Sequence, residues 1–394
     1  MFQDSVVALL MLALVGTYAQ LDDIISNQTV LTVNRTEEIT LVLPPSSGNL
    51  EIYALPVGQG DCTIIQCPNG NLVVNDCGSS GGNRVTPQQI QAFLGNRIGD
   101  VVAIFITHPD RDHFNYLYSI PWTTSVQKVI IGATLQDYNR PSSQFAMIYN
   151  WLVNFNNAGE LFTVSGGASC IGTCTVPVGL DFCNNLNINF NILAANVGTT
   201  SNQKSIVMKI TSGTFTVLSS GDMEGTASTT IAGTLQGQLS SVVYKMSHHG
   251  ASRIANSPTW LMPIAPRVAF ASSGYNFGNC RHPRCDTINR LRNLNTLVAA
   301  PPHTIYCGNS GPPTQLPGFT QHIYETSPTS NMICFLNYTS TFLFNQACYN
   351  VTVLEPSVGL GDDECPVQLE GGAPVMAAHY TAIIVVAFLL ALIN

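Results

Sequence analysis

The sequence predicts a mixed α/β fold in which strands outnumber helices. Three observations lead to this prediction: short β-branched runs separated by glycine-containing turns, one continuous apolar strand, and three strands that each end in an aspartate or a histidine. The 394 residues are 45% hydrophobic and only 10% charged. This composition is typical of a folded globular protein and argues against a disordered or low-complexity chain.

A β-meander opens the predicted fold, followed by one helix and a buried strand. The three meander strands cover 50–55, 62–66 and 71–75. Thr86 suits an N-cap, Pro87 suits the first helical position, and Gly95 ends the helical pattern. Residues 101–107 are continuously apolar, which is typical of a strand buried on both faces.

Candidate metal ligands follow this buried strand directly. Four of the next six residues have ligand-type side chains: His108, Asp110, Asp112 and His113. A solvated turn explains any one of them, but four in six positions favour a metal site. Two later strands end in the same way, one before Asp222 and the other before His248 and His249. Strands that deliver such side chains at their C-terminal ends predict a shared site at one rim of the fold.

Taken in order, the motifs resemble the metallo-β-lactamase superfamily, and specifically the extracytoplasmic hydrolase domain of competence-type DNA-uptake proteins. The motifs are Val57-Gly58-Gln59-Gly60-Asp61-Cys62, Pro68-Asn69-Gly70, Asp76-Cys77-Gly78, Thr107 to His113, Ser220-Gly221-Asp222 and His248-His249-Gly250. The resemblance spans roughly residues 50–297 and implies an αββα sandwich. We expect a disulfide-pinned β extension to follow it.

The resemblance also implies a two-metal centre. It assigns His108 and Asp110 to the first metal, and Asp112, His113, Asp222 and His248 to the second, with Asp222 as the bridge. Asp110 stands where the superfamily usually has a histidine, and residues 114–247 contain no histidine to complete the first site. We therefore expect one tightly held ion in the second site. Two imidazoles and two carboxylates suit zinc, with manganese as the alternative.

A site of this class implies hydrolysis. The ion lowers the pKa of a bound water to about 7 and so supplies a nucleophile at neutral pH. We expect Asp112 to bind and orient that water, and His249 or His282 to protonate the leaving group. His282 lies in a segment similar to the Gly-His-Pro of the competence-type domains, although a plain surface-loop histidine is the alternative.

The charge distribution points to an anionic substrate. The net charge of −8 argues against a protein that grips long nucleic acids through their phosphates. About half of the 15 basic residues nevertheless lie within 245–292, where acidic residues are scarce. A cationic mouth for a phosphodiester, including extracellular nucleic acid, is one interpretation, and a solvated face is the other. Four nearby aromatic residues are candidates for stacking on bases or for the core: Trp260, Phe270, Tyr275 and Phe277.

Three functions therefore stay open. The leading prediction is a metal-dependent phosphodiesterase or nuclease. A hydrolase of esters, lactones or thioesters is the second, because one fold hosts many chemistries. A non-catalytic metal-binding or adhesion protein is the third, suggested by the incomplete first site. No protein partner is predicted.

Signals at both ends predict a secreted, membrane-tethered protein. Residues 1–19 fit a signal peptide, and 371–394 fit a GPI-anchor signal or a short membrane anchor. Between them we expect an N-terminal extension over 20–48, the hydrolase domain over 49–300, and a cysteine-containing extension and stalk over 301–370. A lipid anchor would hold the protein on the outer face of the plasma membrane.

The cysteines and glycosylation motifs agree with secretion. Twelve cysteines form an even set, which favours disulfides, but their pairing is not readable from the sequence. We expect the pairs Cys170 with Cys174 and Cys280 with Cys285 to pin loops. Four sequons predict a glycoprotein: Asn27, Asn34, Asn337 and Asn350.

Overall fold

Two β-sheets pack face to face in the computed structural model, which describes residues 43, 45–81, 85–122, 125–252, 254–273, 281–308, 314–326, 331–336 and 349–350. All of them belong to one compact unit, Leu41–Asn394. The strands are β1 (Glu51–Ala54), β2 (Cys62–Gln66), β3 (Leu72–Cys77), β4 (Val101–Ile106), β5 (Lys128–Ile131), β6 (Leu161–Thr163), β7 (Cys170–Ile171), β8 (Ile188–Ala195), β9 (Val207–Ser212), β10 (Phe215–Ser219), β11 (Val243–Lys245), β12 (Val268–Ala271), β13 (Ala299–Cys307), β14 (Thr314–Gln321), β15 (Ile323–Glu325), β16 (Asn331–Leu336) and β17 (Tyr349–Asn350).

The helices lie outside the two sheets. They are α1 (Pro87–Leu94), α2 (Arg111–Phe114), α3 (Ser143–Ala158), α4 (Gly225–Leu235), α5 (Pro258–Ile264) and α6 (Cys285–Asn293). The predicted start of α1 is confirmed: Thr86 Oγ1 accepts a hydrogen bond from the Gln89 backbone N–H, and Gln89 Oε1 accepts one from the Thr86 N–H. This capping box satisfies two backbone donors that the first turn would otherwise leave unpaired.

The first sheet has the order β17-β16-β1-β2-β3-β4-β5-β6, and the second has the order β15-β12-β11-β10-β9-β8-β7. β1 to β3 form the predicted antiparallel meander, and β3 to β6 are parallel. In the second sheet, β10, β11, β12 and β15 are parallel. Parallel neighbours bring their C-terminal ends to the same edge, which places the segments after these strands close together.

Three apolar cores separate four layers. The central core joins the inner faces of the two sheets, for example Phe105 from β4 with Phe190 from β8. The outer face of the first sheet packs on α1 and α3, and the outer face of the second packs on α4, α5 and α6. β4 is apolar throughout because both of its faces are covered. The predicted αββα sandwich is confirmed.

The predicted C-terminal extension contributes strands to both sheets. β15 pairs with β12 in the second sheet, β16 pairs with β1 in the first, and β13 and β14 form a separate antiparallel pair. A disulfide from Cys285 to Cys307 links α6 to β13. The expected pairing of Cys285 with Cys280 is therefore wrong, because β13 brings Cys307 within bonding distance of the start of α6.

Three further disulfides are described: Cys62–Cys77, Cys67–Cys183 and Cys170–Cys174. The last confirms the loop-pinning pair expected from the sequence. The signal peptide, the anchor segment, Cys280, and the sequons at Asn27 and Asn34 and at Asn337 lie outside the described residues, as does the side chain of Asn350. Within the described ranges, no helix is both long and apolar enough to cross a membrane.

Candidate metal centre

The site forms where the ends of strands from both sheets meet. The segment after β4 carries His108 to His113, and the segments after β10 and β11 carry Asp222 and the pair His248 and His249. The sheets are joined here by a backbone hydrogen bond from Ile206 N–H to Thr107 O at 3.0 Å, and within the second sheet His248 N–H donates to Gly221 O at 3.1 Å. The predicted shared rim is thus a rigid, hydrogen-bonded junction.

Four imidazoles surround the carboxylate of Asp222. The distances from Nε2 to an Asp222 carboxylate oxygen are 3.2 Å for His249, 3.3 Å for His113, 3.8 Å for His248 and 4.0 Å for His108. The Asp222 side chain is only 4% exposed. A buried carboxylate with imidazole nitrogens on several sides is a donor set that suits a divalent transition metal.

Several of these donor atoms lack a hydrogen-bond partner among the described residues. They are Nε2 of His108, His113 and His249, and Oδ1 of Asp222, and all are buried. A buried polar atom without a partner costs about 1–3 kcal/mol, so proteins rarely leave several together. One positive ion would satisfy all four, and the arrangement therefore fits a metal.

The other nitrogen of each imidazole is held by a neighbour. Nδ1 lies 2.9 Å from Asp76 Oδ2 in His113, 2.8 Å from Ser272 O in His249, 2.8 Å from Glu224 Oε2 in His248, and 3.0 Å from Thr107 Oγ1 in His108. The Thr107 hydroxyl donates to Asp76 Oδ2 at 2.8 Å, so it accepts from His108. Such contacts place the proton on Nδ1 and leave Nε2 free to bind an ion.

Each of the two remaining predicted ligands lies beside one imidazole of this group. Asp112 Oδ2 lies 3.4 Å from Nε2 of His249, and Asp110 Oδ2 lies 3.4 Å from Nε2 of His108. Asp110 has other partners as well: Ser201 Oγ donates to Oδ2 at 2.9 Å, and Arg140 Nη1 lies 3.4 Å from Oδ1. The structure thus brings all six predicted ligands together, and places His249 closer to Asp222 than His248.

The electrostatics of the centre also suit a cation. Burial lowers the pKa of His113, but the carboxylates of Asp222 and Asp76 more than offset burial and hold that pKa well above its usual range. Burial likewise opposes protonation of His249, yet Asp222 and Asp112 raise its pKa to about 10. The carboxylates therefore stabilise positive charge at these imidazoles. A bound metal ion would supply that charge in place of protons.

His282, the other predicted proton donor, lies at the edge of the centre. Its ring stacks on His249 with 6.3 Å between centroids and lies 5.5 Å from the ring of His248. The Gln59 side-chain amide is 3.3 Å from its Nδ1. Burial, His248 and His249 hold the pKa of His282 well below its usual range, so this imidazole is neutral at pH 7. It is a buried member of the site and not a surface-loop residue.

No family model matches the sequence. Among curated proteins, competence protein ComA of Neisseria gonorrhoeae is 34% identical over 91 residues, which is 23% of this chain and only 13% of that protein. This match agrees with the resemblance that the motifs predict.

Several solved structures are similar in arrangement. One is Igni18, a metallo hydrolase of Ignicoccus hospitalis, at 15% identity and a TM-score of 0.42, covering 68% of this chain and 98% of that chain. Another is the metallo-β-lactamase fold protein YhfI of Bacillus subtilis, at 8% identity and a TM-score of 0.37, covering 62% and 94%. Human short-form tRNase Z has 13% identity and a TM-score of 0.34, covering 56% and 91%. The chain resembles metallo-β-lactamase fold hydrolases.

Two residues of this centre, Asp61 and Asp76, received no role from the sequence, and Lys245 was counted only among the basic residues of 245–292. Ligand atoms of Asp61, His113, Asp222 and His249 lie within 4.8 Å of one another. Asp61 Oδ2, however, is 2.5 Å from the buried Lys245 Nζ. Since that ion pair already neutralises Asp61, we regard it as a supporting residue and not a ligand. The strand-end positions of Asp61 and Asp76 were the available signal.

Part of the predicted cationic mouth is paired with acidic residues. Lys245 is buried with Asp61, and Arg290 Nη2 donates to Asp286 at 2.7 Å. Arg281 and Arg284, which flank His282, remain half-buried at the rim. Trp260 and Phe270 are core residues, because they lie in apolar cores on opposite faces of the second sheet. They are therefore wrong as base-stacking candidates, and Tyr275 and Phe277 lie outside the described residues.

Proposed function

We propose that the chain is a metal-dependent hydrolase of phosphodiesters. The observation that carries this proposal is the convergence of three unpartnered imidazole nitrogens on Asp222, within the described residues. Such a donor set has no structural purpose without an ion. When bound, the metal supplies a water nucleophile at neutral pH by lowering the pKa of water.

The donor geometry favours one complete site. We assign Asp112, His113, Asp222 and His249 to it, since His249 is nearest to Asp222 and also contacts Asp112. Two imidazoles and two carboxylates suit zinc, with manganese as the alternative. His108 and Asp110 form a weaker second position, because Arg140 and Ser201 already engage Asp110.

His248 then takes the role that the sequence assigns to His249. Its Nδ1 is held by Glu224 at 2.8 Å, and its side chain is 16% exposed, whereas His249 is fully buried. A histidine held by a carboxylate and open to the mouth of a site suits proton transfer to a leaving group. Neutral His282 and the Gln59 amide lie beside His248 and suit hydrogen bonding to substrate.

The preference for an anionic substrate rests on arginine residues at the rim of the site. Arg140 lies beside Asp110 with 39% of its side chain exposed, and the half-buried Arg281 and Arg284 flank His282 in the sequence. Guanidinium groups near a metal site suit a phosphate ester. Extracellular nucleic acid is our leading candidate. The disulfides support action in an oxidising compartment, in line with a secreted protein tethered to the outer membrane face by a lipid anchor.

The test is hydrolysis by the purified full chain after chelation, with zinc or manganese added back. The substrates are bis(p-nitrophenyl) phosphate, single-stranded DNA and p-nitrophenyl acetate. We expect metal-restored cleavage of the first two, abolished in an Asp112→Ala, His113→Ala double variant. Turnover of the acetate alone would instead indicate a carbonyl-ester hydrolase. Metal binding without any turnover would indicate a non-catalytic protein.

A further inference from the structure

The disulfide Cys62–Cys77 joins β2 and β3 at the edge of the first sheet that carries the metal centre. Its two cysteines are opposite each other in the β2–β3 pairing, and both are fully buried. Each cysteine is adjacent in sequence to a buried carboxylate, Asp61 or Asp76. The disulfide therefore joins the two backbone positions next to these carboxylates.

Both carboxylates lie close to the same imidazole nitrogen. Nδ1 of His113 lies 2.9 Å from Asp76 Oδ2 and 3.5 Å from Asp61 Oδ2. Asp76 is also fixed by Thr107, whose backbone N–H donates to Oδ1 at 2.7 Å, and Asp61 is fixed by Lys245. The orientation of His113, and with it the direction of Nε2 towards Asp222, depends on where these two carboxylates lie.

The ligand loop rests on the same strand ends. Asp61 N–H donates to Asp112 O at 3.0 Å, and Gly78 N–H donates to Asp61 O at 2.8 Å. A Cβ added at Gly60 would lie 2.3 Å from Gly78 O, and one added at Gly78 would lie 2.7 Å from the Asp112 carbonyl carbon. The backbones are so close that a small separation of β2 from β3 would be transmitted to Asp112 and His113.

We propose that Cys62–Cys77 is a positioning disulfide of the metal centre: it holds Asp61 and Asp76 together on His113 so that the ligand loop keeps its metal-binding geometry. This inference rests on the proposed metal site. The disulfide is completely buried and therefore separated from solvent, so it acts as a permanent brace. It also gives a role to the Gly58-Gln59-Gly60-Asp61 and Asp76-Cys77-Gly78 motifs, which the ligand assignment leaves unexplained.

The chain offers a matched control at the other end of β2. Cys67 follows that strand and pairs with Cys183, with a sequence separation of 116 against 15 for Cys62–Cys77. Because stabilisation by a disulfide grows with the length of the loop it closes, removing the control should lower Tm at least as much. The two double variants, Cys62→Ala with Cys77→Ala and Cys67→Ala with Cys183→Ala, are compared in the full chain.

The measurements are zinc affinity, by competition with a chromogenic chelator, and Tm. We expect zinc affinity to fall about 10- to 100-fold in the Cys62, Cys77 variant, the range found for residues that support metal ligands, and to be unchanged in the control. Equal zinc affinity in wild type and the Cys62, Cys77 variant would overturn the proposal, and so would an equal loss in both variants.

A second pair of variants covers a folding failure. Cys62→Val with Cys77→Ala fills the buried space better, and Asp61→Asn with Lys245→Met leaves the disulfide intact and no buried charge unpaired while weakening one of the two contacts to His113. Both are expected to weaken zinc binding, and normal affinity in either would reject the brace. If the wild-type chain itself binds no zinc or manganese, the proposed function fails as well, so that result is distinguishable from failure of the brace alone.

Discussion

Nε2 of His249 lies 3.2 Å from Asp222 Oδ2, closer than Nε2 of the adjacent His248 at 3.8 Å. The two neighbours therefore have different functions in our proposal. We expect His249→Ala to lose most zinc binding, and His248→Ala to keep the zinc while kcat falls about 100-fold, the usual scale of a lost acid–base group. Zinc content after gel filtration and steady-state kinetics measure the two effects. Loss of zinc in His248→Ala with retention in His249→Ala would restore the assignment made from the sequence.

Lys245 and Asp61 form a buried ion pair, and we expect its disruption to lower the free energy of unfolding. Lys245→Met leaves Asp61 as an unpaired charge in the interior, which costs roughly 3–5 kcal/mol. Adding Asp61→Asn removes that charge and should recover part of the loss. Denaturant unfolding measures both, with Lys128→Met as the comparison, because Lys128 pairs with a surface carbonyl. Equal stability of Lys245→Met and wild type would contradict the ion pair.

Local sequence signals were enough to predict the meander, α1, β4 and the rim, because each depends on turns, caps or apolar runs within a few residues. The choice between His248 and His249 was not predictable. Both residues adopt positive φ, 50° and 55°, so no regular periodicity tells which ring points inwards. The partner of Lys245 and the sheet positions of β15 and β16 depend on long-range pairing, which one sequence does not reveal.

Arg140 should contribute to substrate binding more than to turnover. It lies at the rim, stacked over Phe145 at 4.7 Å, and contacts Asp110. We expect Arg140→Ala to raise KM for bis(p-nitrophenyl) phosphate about 10-fold at low salt, with a smaller effect at high salt, where charges are screened. Arg97→Ala is the control, because Arg97 pairs with Asp100 beside the turn at Gly70. An unchanged KM would remove Arg140 from the substrate site.

Variants at Trp260 test whether this residue serves only the hydrophobic core or also binds nucleic acid. Its side chain is fully buried in the core beneath α5, and its Nε1–H donates to Tyr244 OH at 3.0 Å. We expect Trp260→Ala to lower the free energy of unfolding by about 3–5 kcal/mol. Trp260→Phe keeps most of the packing, so single-stranded DNA binding by that variant should match wild type in a fluorescence-anisotropy titration. A marked loss of DNA affinity in the folded Phe variant would show that the indole reaches substrate.

Glu325 should make stability depend on pH. Burial raises its pKa well above the ordinary value of 4.5, although the Tyr306 N–H, which donates to Oε1 at 2.8 Å, opposes this. The folded state therefore holds the proton more tightly than the unfolded state. Its stabilising effect is complete below about pH 4.5 and declines as pH rises towards the folded pKa, at most about 1.4 kcal/mol per pH unit. In Glu325→Gln this decline should vanish, whatever the absolute stability, so the difference in unfolding free energy between the two proteins, measured from pH 4 to pH 8, should change once pH exceeds about 4.5. Parallel curves over that range would mean that Glu325 is ionised in the folded protein.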